Sequence, residues 1–171
     1  MEKFVEQRVG DQRILRLVQA GCPDSIYVSG IEHADEFFAR IWVEMQRRCG
    51  DLANSSLVFL ADGANWIWDR VGELAHQPRT CILDFYHAVE HLSDLCKELF
   101  GEATERYQQH YRKWQTMFWE SQLEAVIEEL KHMRQANRWR GKRDTIQGQI
   151  NYFQENKTRM DYKGYREMGL P

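Results

Sequence analysis

Two short runs constrain the fold more than any other feature. Leu57–Ala61 reads LVFLA and stops at Asp62-Gly63. Thr80–Leu83 reads TCIL and stops at Asp84. A run apolar at successive positions has no face to give to water, so it reads as a strand covered on both sides. Each run is followed by a helical pattern. Trp66, Ile67, Val71 and Leu74 recur between Ala64 and Ala75, before Pro78. Val89, Leu92, Leu95 and Leu99 recur between His87 and Phe100, before Gly101. Upstream, Ser25–Ile31 is β-branched and aromatic enough for a strand. His33 to Cys49 carries Phe37, Phe38, Ile41, Trp42 and Met45 at helical spacing, closed by Gly50. Strand–helix alternation of this kind implies parallel strands joined by crossovers, an α/β layer.

Outside that stretch the pattern changes. Residues 1–25 read as a ragged segment, with Val9, Ile14, Leu15, Leu17 and Val18 fitting a short helix before Gly21 and Pro23. From Glu102 no strand is evident, and three helices are expected at about 103–120, 121–137 and 143–157. The domains read as 1–25, an α/β core at 26–101 and a helical region at 102–171. The chain has 171 residues, 43% hydrophobic and 29% charged, values that exclude a disordered chain. No apolar run approaches a membrane span. Cys22, Cys49, Cys81 and Cys96 stand singly, without CxxC spacing, as expected for reduced thiols in a cytoplasmic protein.

Ligands of open α/β sheets gather outside the carboxyl ends of the strands. Asp62 and Asp84 each follow a strand and would meet at that edge. Two carboxylates there repel unless a cation or proton joins them, and carboxylate oxygens suit Mg²⁺ or Mn²⁺. A strand-end Asp is equally a helix cap or turn former. His87-Ala88-Val89-Glu90-His91 matches the H-x-x-E-H pattern of inverted zinc peptidases. Its two histidines share a helix face and Glu90 would serve as base. A third ligand is not singled out among Glu120, Glu124 and Glu167.

Three blocks together resemble one family. Leu60-Ala61-Asp62-Gly63-Ala64-Asn65-Trp66-Ile67-Trp68 resembles the strand-end "DGAxWI" block of bacterial insertion-sequence transposases of the ISKra type, relatives of the mutator-like DDE transposases. Asp84-Phe85-Tyr86-His87-Ala88-Val89-Glu90-His91-Leu92 resembles the block that follows it. Tyr152-Phe153, Asn156, Arg159-Met160-Asp161-Tyr162, Tyr165-Arg166 and Gly169-Leu170-Pro171 resemble the segment leading to the last catalytic motif. The resemblance spans roughly residues 26–171, Ser29 to Gly50 matching more weakly.

The resemblance implies a partial ribonuclease-H-like core followed by a mostly helical insertion. It implies a DDE reaction on transposon-end DNA, in which three carboxylates hold two divalent metals, Mg²⁺ or Mn²⁺. Asp62 matches the second, metal-binding carboxylate. Asp84 and His87 match the adjacent D-x-x-H motif in a supporting role, which makes HAVEH an accident of that helix. It also implies a bacterial cytoplasmic, nucleoid-associated protein, and it is compatible with a homo-oligomer. No Asp on an apolar strand precedes Ser25; Asp11 and Asp24 do not match the first catalytic Asp. The expected final Glu would follow Pro171. The chain therefore reads as an internal fragment carrying one of three metal carboxylates and inactive alone, so its standing as an enzyme is open.

Charge is uneven. Residues 1–130 hold 13 Lys+Arg against 22 Asp+Glu, whereas residues 131–171 hold 10 against 4. Arg134, Arg138, Arg140, Lys142 and Arg143 surround Trp139. Lys157, Arg159, Lys163 and Arg166 lie among Tyr152, Phe153, Tyr162 and Tyr165. Basic side chains neutralise phosphates and interleaved aromatics stack on bases. The first five of these, with Lys157 and Arg159, are the expected DNA contacts; the competing reading is a solvated helix face with core aromatics. A non-catalytic DNA-binding or interaction module is the alternative to the transposase, and the zinc peptidase the third. Trp42, Trp114 and Trp119 read as packing residues, and Leu123, Val126, Ile127 and Leu130 as an amphipathic stripe.

Overall fold

The computed structural model describes residues 2–9, 12–19, 26–31, 33–49, 57–73 and 79–170. Asp11, Asp24, Cys22, Gly50, Leu74, Pro78 and Pro171 lie outside them. The chain divides into a unit of residues 1–84 and a unit of residues 85–171.

The first unit is an α/β assembly. Its sheet comprises β1 (Glu2–Val9), β2 (Gln12–Gln19), β3 (Ile26–Gly30), β4 (Leu57–Ala61) and β5 (Arg79–Leu83). The order is β3-β2-β1-β4-β5. β2 runs antiparallel to both its neighbours, and β1, β4 and β5 are parallel. The short helix expected from Val9, Ile14, Leu15, Leu17 and Val18 does not form. Those positions lie on β1 and β2, paired from Glu2↔Gln19 to Val9↔Gln12. Pairing across the sheet decides the conformation where local propensity is ambiguous.

β4 lies between β1 and β5. Leu57, Val58, Phe59 and Ala61 are accordingly all buried, which explains a run with no polar alternation. β5 lies at one edge of the sheet, and only Ile82 and Leu83 are buried on it. α1 (Ala34–Cys49) buries Phe37, Ile41 and Met45 at four-residue steps, one stripe of a helix. α2 (Asn65–Glu73) buries Ile67, Trp68 and Val71. Arg70 of α2 bridges Asp35 of α1 and Glu73, at 2.5 Å to each. These exposed pairs orient the helices more than they stabilise them.

The second unit is helical: α3 (Phe85–Phe100), α4 (Glu105–Trp119), α5 (Leu123–Gln135), α6 (Arg143–Asn156) and α7 (Tyr162–Glu167). Short 3-10 turns at Asn137–Lys142 and Lys157–Arg159 flank α6. α3 packs against α4 and α6, so it belongs with the helices that follow it rather than with the sheet. Its stripe Ala88, Val89, Leu92, Leu95, Cys96 and Leu99 is buried. The stripe Leu123, Val126, Ile127 and Leu130 of α5 is buried as expected. Trp114 is fully buried and donates its indole N–H to Glu129 of α5 at 2.8 Å, and Lys113 donates to the same carboxylate at 2.6 Å. Burial raises the Glu129 pKa, but these two donors outweigh it and hold the carboxyl below its usual value. Among the described residues no helix is long and apolar enough to cross a membrane, and Cys96 is a buried free thiol.

Candidate functional site

The strand-end carboxylates belong to the first unit. The last β4–β5 pair is Ala61↔Leu83, and the Asp84 N–H extends the ladder by donating to the Ala61 carbonyl at 2.8 Å. Asp62 and Asp84 thus leave neighbouring parallel strands at the same level, where strands lie about 4.8 Å apart. Both residues are half-buried. The reason is local: each apolar run ends where the sheet ends, and a helix begins within three residues. Asp62 Oδ1 accepts the Ala64 N–H at 2.8 Å, closing the turn that enters α2. Asp62 is therefore a turn former whatever else it does. Asp84 sits at the cap position of α3. Two oxygen donors of this kind suit a hard divalent cation, which is commonly held by one or two carboxylates and water. Among the described residues no group of three or more His, Cys, Asp or Glu is placed to hold a metal ion.

His87 stands in the first turn of α3, in the second unit. Its Nδ1 lies 3.7 Å from Glu90 Oε2, and its ring meets His91 edge-on at 5.0 Å. His91 stacks on Tyr152 of α6 at 3.9 Å, with 14° between the rings. Burial, and then His87, push the His91 pKa below its usual value. The H-x-x-E-H residues thus do share one helix, but His91 is engaged with α6 and Glu90 with His87.

The predicted DNA contacts fall into two groups. Lys142 pairs with Glu98, and Lys157 with Glu124. Arg143 donates to the Arg134 carbonyl at 3.0 Å and to that of Gln135 at 3.4 Å, so it caps the end of α5. Arg159 donates to Asn156 at 2.9 Å. Arg134, Arg138 and Arg140 instead are exposed around the turn that follows α5 and carry no ion pair among the described residues. Arg138 lies over the Trp139 ring at 5.4 Å.

The aromatics expected to interleave with these charges are mostly core. Phe153, Tyr162 and Tyr165 are buried, and Tyr152 is stacked on His91. Among the described residues the exposed large aromatics are Tyr86, 78% exposed, and Trp119, 43% exposed. Trp119, read like Trp114 as a core or helix-packing residue, packs against Phe85 of α3 and under Arg166 of α7. Its place as the last residue of α4 puts it at the unit's surface. No sequence signal separates the two tryptophans, because both fit a helical spacing.

No family model, curated protein or solved structure matches this chain.

Proposed function

We propose that the chain contributes a strand-end carboxylate pair and a DNA-binding helical unit to a DDE-type transposase acting on insertion-sequence ends. The observation that carries this reading is the alignment of Asp62 and Asp84 at the ends of adjacent parallel strands. The sheet order β3-β2-β1-β4-β5, with β2 alone reversed, agrees with a ribonuclease-H-like core. Asp62 and Asp84 would hold Mg²⁺ or Mn²⁺. Such an ion, when bound, activates an attacking oxygen and stabilises the leaving one at a phosphodiester. Two carboxylates leave most of the octahedron to water, so binding is weak, and strand transfer requires carboxylates beyond these two. Arg134, Arg138 and Arg140 would meet phosphate.

Mn²⁺ titration followed by paramagnetic broadening of backbone resonances tests the carboxylate pair. Broadening centred on Asp62 and Asp84, lost in Asp62→Asn, is expected. Stoichiometric zinc at His87 and His91 with no broadening at the strand ends would sink the reading. A second reading, a DNA-binding module without catalysis, is favoured by the exposed arginines. It predicts salt-sensitive DNA binding unchanged by Asp62→Asn and by Mn²⁺.

A further inference from the structure

The turn between α5 and α6 in the second unit is fixed at three points. Arg143 donates from its guanidinium to the carbonyls of Arg134 and Gln135, which ties the start of α6 to the end of α5. Trp139 is half-buried, with its indole nitrogen inside, and meets Phe100 of α3 edge-on at 5.6 Å. Lys142 pairs with Glu98 of α3. Asn137–Lys142 is a 3-10 helix, with three residues to a turn. The neighbours of an inward residue on such a helix stand about 120° to either side of it. An inward Trp139 therefore sends Arg138 and Arg140 out on opposite flanks, where both are exposed, as is Arg134 at the end of α5.

Five cations lie from Arg134 to Arg143. Against them stand three acids: Glu98, Asp144 at the start of α6, and Glu102, two residues past Phe100. Lys131 and Glu128 on α5 pair at 2.7 Å and cancel. The positive excess is therefore local and outlasts the acids around it. Unpaired guanidinium groups are matched by phosphate. The six residues of the turn, at a rise of about 2.0 Å each, run for about 12 Å. One strand of a duplex carries a phosphate per about 3.4 Å of axis, so the turn matches three to four phosphates. The same acids decide what the contact leaves out. Base edges are read by a helix or strand laid in a groove, often by residues at the start of a helix. α6 is the helix that starts here. Its exposed residues are Asp144, Gly148, Asn151, Gln154 and Glu155, so a carboxylate stands at each end of its outer face. Laid in a groove, both carboxylates would lie between two rows of phosphates. Gln147 and Asn151, whose amides suit a base edge, are bonded to each other at 2.6 Å. α5 presents Glu124 and Glu128 on its exposed side.

We infer that the Asn137–Lys142 turn, with Arg134, Arg138 and Arg140, holds the phosphate backbone of one nucleic-acid strand and reads neither base nor sugar. Contacts of that kind position a protein on the strand without carrying sequence information. The inference rests on the DNA-binding reading above and narrows it: telling one insertion-sequence end from another sequence is not a property of this surface.

Fluorescence anisotropy tests it, with two labelled duplexes of unrelated sequence, a DNA single strand and an RNA single strand of the same length. The duplexes should agree within about twofold, and so should the two single strands. Three phosphates predict a slope of log K against log salt near −2.1 on either single strand, at about −0.7 per contact. Arg138→Ala and Arg140→Ala should each weaken all four ligands alike and reduce that slope by about 0.7. Asp144→Asn should tighten all four, because it removes a charge that repels phosphate. The three side chains are exposed, so these variants keep the fold, which circular dichroism verifies. A preference above about tenfold between the two duplexes would overturn the inference, and its loss in Asp144→Asn would assign it to a carboxylate that reads the cytosine amino group. Binding of the duplexes without binding of either single strand would also overturn it. Both results leave the DNA-binding reading intact, whereas a wild-type chain that binds none of the four at low salt would overturn that reading as well.

Discussion

Ser121 offers a test in which two effects of similar size oppose each other. It joins α4 to α5 with φ +56°, a left-handed conformation that costs an L-residue about 1–2 kcal/mol. Its hydroxyl donates to Asp161 Oδ1 at 2.7 Å and accepts the Lys163 N–H at 2.9 Å, and Asp161 Oδ1 also accepts the Gly164 N–H at 3.1 Å. The hydroxyl therefore ties the α4–α5 turn to the capped start of α7. Ser121→Ala removes both bonds and keeps the strain, a loss of about 1–2 kcal/mol if each bond contributes about 0.5–1 net. Ser121→Gly removes the same bonds but also the strain. It recovers about 1–2 kcal/mol, less the roughly 0.4–1 that a more flexible unfolded chain costs. The glycine variant should thus be the more stable of the two by about 0.5–1 kcal/mol, a melting difference of about 2–4 °C per kcal/mol in a chain of this size. Gly164→Ala probes the same cap from the other side. A Cβ there would collide with the Asp161 carboxylate, which must swing away. Combined with Ser121→Ala it should cost less than the two changes added, since both dismantle one cap. Urea unfolding followed by circular dichroism reads all four variants against the wild type. A glycine variant no more stable than the alanine one would refute the strain argument, and strict additivity with Gly164→Ala would refute the shared cap.

Three further outcomes follow from the second unit. Burial pushes the Cys96 thiol up to about 12, so peptide mapping after alkylation near pH 8 should find Cys96 unlabelled in the native chain and labelled once it is unfolded. His91 is held below its usual pKa by burial and by His87, so the unfolded chain takes up this proton first. Its contribution to stability is complete above about pH 6.5, the unfolded value, and is lost as pH falls through the lower folded value. His91→Gln should flatten that part of a stability–pH profile, and an unchanged profile would count against the assignment. Ala103 has φ +60° and is exposed, so Ala103→Gly should raise the melting temperature by roughly 1–4 °C, in proportion to a net gain of about 0.5–1 kcal/mol.

Where the sequence is legible, a single physical rule suffices. LVFLA lies between two parallel strands, and its bounds as a strand coincide with those of the run. The stripes of α1, α3 and α5 repeat at the helical period because each buries one face. Asp62 and Asp84 were legible as strand-end residues for the same reason: an apolar strand stops where cover stops. The opening strand pair is misread in the sequence because Ile14, Leu15, Leu17 and Val18 fit a helix face as well as a strand. Only the pairing partners β1 and β3, distant contributions that a local pattern does not carry, decide between them. The partial exposure of Trp119, a packing residue, is not legible for a related reason. Exposure depends on what packs against the end of α4, and composition within α4 is silent on that.

Net charge shows how a boundary alters an electrostatic argument. Cut at residue 130, the chain's end carries +6. Cut where the fold divides, residues 85–171 hold fourteen basic and thirteen acidic residues, a net of +1. The difference is visible in the ion pairs. Lys142, Lys157, Lys163 and Arg166 meet Glu98, Glu124 and Glu120, acidic residues that the first cut assigns to the other side. A nearly neutral unit has no broad field to draw in DNA, so any affinity must come from a local cluster. Arg134, Arg138 and Arg140 are that cluster. Three neutralised phosphates predict a slope near −2.7 for log K against log salt on duplex DNA, at about −0.9 per contact. Each Arg→Ala change should reduce the slope by about 0.9. A wild-type slope steeper than about −6 would mean that the paired lysines also reach phosphate, and that their carboxylate partners give way to DNA.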